Sequence, residues 1–197
     1  MVMLSIRSSR VYYCRLLNPA TGSVHLLPEG DGAVDVRERH ISSAQIGPTG
    51  AHKVLRVVYF TSNDHSTDRH VYEVFVIDGH GQARWMGKKA SPQVNLDLST
   101  SVVVKNIVYF LVDTLCCAHH QDVEADQIVS FDLEKEEWRE TLRGPLSSRD
   151  TAGWFQDEDS EWTAFSLATL NGCLVGVHDT LSTYVDLWFL MDCKKGL

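Results

Sequence analysis

"QIVSFDLEKEEWRETLRGP", residues 127–145, decides how the chain is read. An apolar run of strand type meets Asp132, a charged turn follows, then Trp138, and Pro145 closes the stretch. The same order returns elsewhere. "VYEVFVIDGHGQARWMG" (71–87) sets Asp78 after a strand-like run and Trp85 seven positions later, where Trp138 follows Asp132 by six. "VDLWFLMDCKKGL" (185–197) begins the same unit at Asp192, and "YYCRLLNPATGSVHLLP" (12–28) is a looser version with Asn18 in the turn and Pro28 at its close. The turn residues Asn18, Asp78, Asp132 and Asp192 lie 60, 54 and 60 positions apart.

A repeat of this length, with about four short strands per unit, marks a β-propeller blade. One such sheet cannot bury both its faces, so neighbours must stack beside it. About three and a half units fit in the chain, whereas a closed ring takes roughly four to eight. The predicted fold is therefore all-β: a partial β-propeller of about three to four blades, made of antiparallel four-stranded sheets, in a single incomplete segment over 1–197. Its open faces call for further blades, another copy or another protein.

The local signals agree. No window keeps a helical apolar stripe free of Gly, Pro or β-branched clusters. Runs rich in Val, Ile, Tyr and Phe predict strands over 11–17, 53–60, 71–77, 101–104, 107–112, 127–132, 162–170, 173–177 and 184–191. Asn171 and Gly172 both tolerate the positive φ of a type I′ turn, so the strands around them should pair antiparallel. Lys105–Asn106 is a weaker version of the same turn, because lysine is disfavoured at positive φ.

Composition narrows the function. With 18 Lys and Arg against 26 Asp and Glu, the formal charge of -8 disfavours nucleic acid as a partner. No apolar run approaches the roughly 20 residues of a membrane span, and Arg7 and Arg10 interrupt the N-terminal run, so no membrane association is expected. Five cysteines without framework spacing fit a reducing compartment, the cytoplasm or nucleus. There is no C-x-x-C, zinc-finger array, phosphate-cradling loop, G-x-S-x-G or H-E-x-x-H, so neither a cofactor nor a metal is expected and the chain does not read as an enzyme.

Four segments in register, "LLNPATGSVHLLP" (16–28), "SVVVKNIVYFLVD" (101–113), the stretch quoted first and "LATLNGCLVGVHDTLSTYVDLWFLMD" (167–192), resemble the F-box-associated domain of plant F-box proteins, the type 3 variety in particular. Phe110 stands where that family usually has the tryptophan of Tyr-Trp. The resemblance spans nearly the whole chain, and nothing before Val11 matches the family's helical F-box. It implies the part of a ubiquitin-ligase adaptor that holds a protein substrate, with a Skp adaptor and cullin engaged only if an F-box is supplied elsewhere. An enzyme on a propeller scaffold and a truncated gene product are the alternatives.

Three polar clusters invite a functional reading. "CCAHHQDVEAD" (116–126) crowds thiols, imidazoles and carboxylates, but adjacent residues point apart, and an exposed loop is the preferred reading. "NDHSTDRH" (63–70) has the length of an ordinary hairpin loop and is read as solvated. "GWFQDEDSEW" (153–162) is the best candidate for protein binding: Trp154 and Phe155 supply contact area, and Asp157, Glu158 and Asp159 attract a basic segment. Trp85, Trp138 and Trp188 recur at structural positions and are assigned to packing.

Overall fold

The computed structural model describes residues 2–7, 12–17, 21–27, 36–46, 51–60, 69–77, 83–92, 94, 101–112, 126–145, 164–179 and 185–190. Fourteen strands and no helix occur among them. In chain order they are β1 (Val2–Arg7), β2 (Tyr12–Leu17), β3 (Val24–Leu27), β4 (Val36–Ile46), β5 (Ala51–Phe60), β6 (Arg69–Ile77), β7 (Ala83–Ala90), β8 (Ser101–Val104), β9 (Ile107–Leu111), β10 (Ile128–Asp132), β11 (Glu137–Trp138), β12 (Ala164–Leu170), β13 (Cys173–Asp179) and β14 (Val185–Phe189). They form four sheets, β1-β2-β3, β4-β5-β6-β7, β8-β9-β10-β11 and β12-β13-β14, each joining strands consecutive in sequence. Every pairing is antiparallel. Two sheets have the four strands expected, and two have three among the described residues.

The stretch that opens the sequence reading builds one complete hairpin. β10 supplies a strand that is buried from Ile128 to Phe131, and its last residue shapes the turn: Asp132 Oδ1 accepts the N–H groups of Glu134 at 3.0 Å and Lys135 at 3.1 Å. Glu136 takes a positive φ of 61° and donates its N–H to Asp132 O at 2.8 Å, which brings Trp138 opposite Phe131. Beyond β11 the chain stays beside β10. Ile128 and Leu142 exchange backbone hydrogen bonds of 2.9 and 2.8 Å, and Gly144 N–H reaches Asp126 O at 3.1 Å. Gly144 has to be a glycine, since a Cβ there would lie 2.7 Å from the Asp126 backbone oxygen.

The β8–β11 sheet is buried on both faces. Val108, Phe110, Val129, Phe131 and Leu133 pack against Leu55, Val57, Tyr72 and Val74 of the β4–β7 sheet. The alternate residues Val104, Tyr109, Leu111 and Ile128 pack against Leu167 and Leu174 of the β12–β14 sheet. Two-sided burial is why these strands read as continuous apolar runs instead of alternating ones. In the β4–β7 sheet the two middle strands are buried on both sides, because Val54 and Val58 of β5 and Phe75 and Ile77 of β6 are buried on the side away from β8–β11.

The hairpin turns follow their residues. Asn171 and Gly172 both take positive φ, 52° and 74°, as a type I′ turn requires. At Lys105–Asn106 only Lys105 is positive, at 57°, which is the type II′ pattern.

Several strands lie outside the runs predicted from sequence: β1, β3, β4, β7 and β11. The cluster at 63–70 is shorter than a solvated loop over its whole length, because Arg69 and His70 already belong to β6 and His70 is buried. Asp126 likewise departs from the exposed-loop reading of 116–126; it is buried where the chain enters β10.

Candidate interaction surface

The cross-strand register sorts the β12–β14 sheet into two faces. Phe165, Leu167, Leu174 and Leu190 pack toward β8–β11. Gly176 and His178 follow on the same side by alternation, as do their partners Trp188 and Asp186. Trp188 lies against Phe165 and His178, with ring centroids 6.4 and 5.7 Å away. A Cβ at Gly176 would stand 2.7 Å from Phe165 Cζ, so the missing side chain makes room for the aromatic above it.

The opposite face carries Cys173, Val175 and Val177 on the middle strand, facing Phe189 and Leu187 of β14. Cys173 and Val175 are buried, but Val185, Leu187 and Phe189 are 50, 54 and 59% exposed, and Leu170 is 43% exposed. An apolar stripe therefore runs along β14 at every second residue, open to solvent. Among the described residues no strand pairs with the outer edge of β14. A second, shorter apolar exposure lies on β3, at Val24 and Leu26.

Trp154, Phe155, Asp157, Glu158 and Asp159, the protein-binding candidates from sequence, lie outside the described residues. So do residues 63–68 and 116–125 of the other two clusters. The stripe is not legible in "VDLWF", where alternation does not say which residues face inward.

The remaining polar groups of interest are structural. Trp138 meets the rings of Tyr72, Phe110 and Phe131 with centroids 5.8, 5.9 and 5.1 Å away, joining the β8–β11 and β4–β7 sheets. Contacts of this kind contribute about 0.5–1.5 kcal/mol each beyond the area buried. Trp85 stands opposite Phe75 in register, as Trp138 does opposite Phe131; its side chain lies outside the described residues. Lys53 Nζ latches the turn after β10 to β5, 2.6 Å from Glu136 Oε1 and 3.1 Å from Glu134 O. His70 accepts the Val94 N–H at Nδ1, 3.1 Å away, and packs edge-on against Tyr59, which makes it a satisfied core histidine.

Arg56 and Glu73 form a buried ion pair at directly opposed positions on β5 and β6, with Arg56 Nε 2.6 Å from Glu73 Oε2. Trp138 Nε1 and His178 Nδ1 are buried without a hydrogen-bond partner among the described residues. Each such group costs about 1–3 kcal/mol, offset here by the apolar burial around it. Burial raises the Tyr109 phenol above its usual value; Arg139 opposes the shift and Asp132 adds to it.

Cys173 is disulfide-bonded, a departure from the reduced thiols expected from sequence. Among the described residues no three His, Cys, Asp or Glu side chains gather as a metal site would require, and no helix is long and apolar enough to cross a membrane. The sequence matches no known protein-family model, and neither the curated proteins nor the solved structures give a match.

Proposed function

We propose that the chain is a protein-interaction module whose sheets are the blades of a partial β-propeller, serving as the substrate-holding part of an F-box-type ubiquitin-ligase adaptor. The observation that carries this reading is the two-sided burial of β8–β11 between sheets of its own kind. Consecutive antiparallel strands, stacked sheet beside sheet, are what blades require. Stacked sheets hold their connecting segments on a rigid frame, so recognition falls to loops and exposed strand faces. Binding then proceeds by surface complementarity, without covalent chemistry. The surfaces in question are the 153–162 segment and the apolar stripe of β14. A Skp adaptor and cullin enter only through an F-box on another segment or partner.

The test is quantitative affinity capture with the immobilised chain, beside a variant with Trp154→Ser, Phe155→Ser, Asp157→Asn, Glu158→Gln and Asp159→Asn. A protein retained by the native chain and lost from the variant, with retention falling as salt rises, supports recognition through the acidic aromatic segment. Equal retention by both removes that segment from the proposal. Direct recovery of a Skp adaptor by these 197 residues would contradict the division of labour.

A further inference from the structure

The stripe on β14 has a geometry that selects its occupant. Leu190 N–H donates to Leu174 O at 3.0 Å, and Leu174 is the residue that faces Leu190 when the β13–β14 register is continued by one pair. Along an antiparallel ladder the inward-bonded residues alternate, so Leu190, Trp188 and Asp186 turn their backbone groups to β13. Val185, Leu187 and Phe189 turn theirs to the outer edge. The residues with exposed apolar side chains are thus the same three whose N–H and C=O groups point away from the sheet.

Edge strands are normally protected by charge, proline, a bulge or brevity. β4 carries Arg37, Glu38 and Arg39, β7 carries Lys88 and Lys89 and pairs through a bulge, and β11 is two residues long. β14 has no proline, no bulge and no charge on its exposed face; the inward-facing Asp186 is its one protective feature.

We propose that β14 is a self-pairing edge through which two copies of the chain join antiparallel about a two-fold axis at Leu187. In that register Val185 meets the second copy's Phe189, Leu187 meets its counterpart, and Phe189 meets the second copy's Val185, so the apolar stripe is complementary to itself. On the other face Asp186 meets Trp188, and no two carboxylates come opposite each other. Three outward-facing residues on each side give about six interchain hydrogen bonds. A five-residue edge is only about 17 Å long, small beside a standard protein interface, so the pair should dissociate on dilution. This inference rests on the stripe being an interaction surface and names its partner. A monomer that still captures protein would end the self-pairing and leave the module reading intact.

Sedimentation equilibrium over a concentration series is the experiment. The native chain should approach twice its 22.1 kDa mass as concentration rises. Leu187→Pro removes an N–H that β13 does not use, so the fold should survive while association weakens at least about tenfold. Leu187→Lys and Leu187→Glu should each stay monomeric, since each sets like charges together across the axis, and an equimolar mixture should associate. Leu26→Lys, on the other exposed stripe, should associate as the native chain does. Circular dichroism of each variant confirms the fold, and association in the mixture shows independently that both charge variants are folded. A native chain that is monomeric throughout, a Leu187→Pro variant that pairs normally, a Lys/Glu mixture that stays apart, or loss of pairing in Leu26→Lys would overturn the proposal.

Discussion

Replacing Glu73 by glutamine should be among the most damaging single changes outside the apolar core. The carboxylate and the Arg56 guanidinium face each other across β5 and β6 with side chains 4 and 7% exposed, among the buried Val54, Val58, Val71 and Phe75. Glutamine keeps the shape and removes the carboxylate charge that the Arg56 guanidinium pairs with. Removing one partner of a buried pair costs about 3–5 kcal/mol, a large share of a stability of about 5–15 kcal/mol. The double replacement Arg56→Met with Glu73→Leu removes both charges, and its stability should lie within about 1 kcal/mol of the native protein, because a buried ion pair and an apolar pair of similar volume differ little in stability. Urea unfolding followed by the fluorescence of the five tryptophans reads both. With a slope of about 2 kcal/mol/M, the single variant should lose about 2 M of midpoint and the double about 0.5 M or less. A loss below about 0.5 M in Glu73→Gln would mean that water reaches the pair and that this face of the sheet is open.

Gly176→Ala should lower stability by about 1–3 kcal/mol, because the new methyl would lie 2.7 Å from Phe165 Cζ and displace a ring packed between two sheets; the urea midpoint checks it. Lys105→Gly should raise stability by about 0.5–1 kcal/mol, since its φ of 57° strains any side chain and the lysine is exposed; a higher midpoint confirms it, and a lower one means that the side chain contributes contacts of its own. Tyr109 keeps its proton longer when folded than when unfolded, so its contribution is complete below the ordinary value of 10.0 and is lost as pH rises beyond it. Tyr109→Phe should therefore unfold less steeply above that pH than the native chain in denaturant titrations run at successive alkaline pH values.

Where both faces of a strand are covered, its sequence declares it. "IVYFL" and "IVSF" are legible as strands because β9 and β10 are packed on both sides and have no room for a polar residue beyond Ser130. β4 and β7 were not legible for the opposite reason. "VRERHISSAQI" and "ARWMGKKA" are held by ladder bonds to one neighbour each, and an edge strand with water beside it can carry charge at most positions. The turns were legible wherever a residue had a single conformational reason to be there, as at Asn171–Gly172. Burial of His70 and Asp126 was not, since each depends on a segment that returns from elsewhere in the chain: Val94 in one case and Gly144 in the other.

The candidate surface was hidden by a limit of a different kind. Alternation in "VDLWF" reports a period of two and says nothing about which half faces inward. Hydrophobicity alone would send Val185, Leu187 and Phe189 into the core and leave Asp186 outside. The structure does the reverse, because Gly176 opens a space on the inner face that Trp188 and Phe165 fill, and one turned-in tryptophan sets the direction of the whole strand. The apolar trio then faces solvent with its backbone groups turned to an edge that no described strand pairs with. A local pattern that tertiary packing overrules, at a cost in exposed apolar area, is where a binding role is to be sought. β14 meets that description on both its side-chain and its backbone side, and a second strand is the one partner that satisfies the two together.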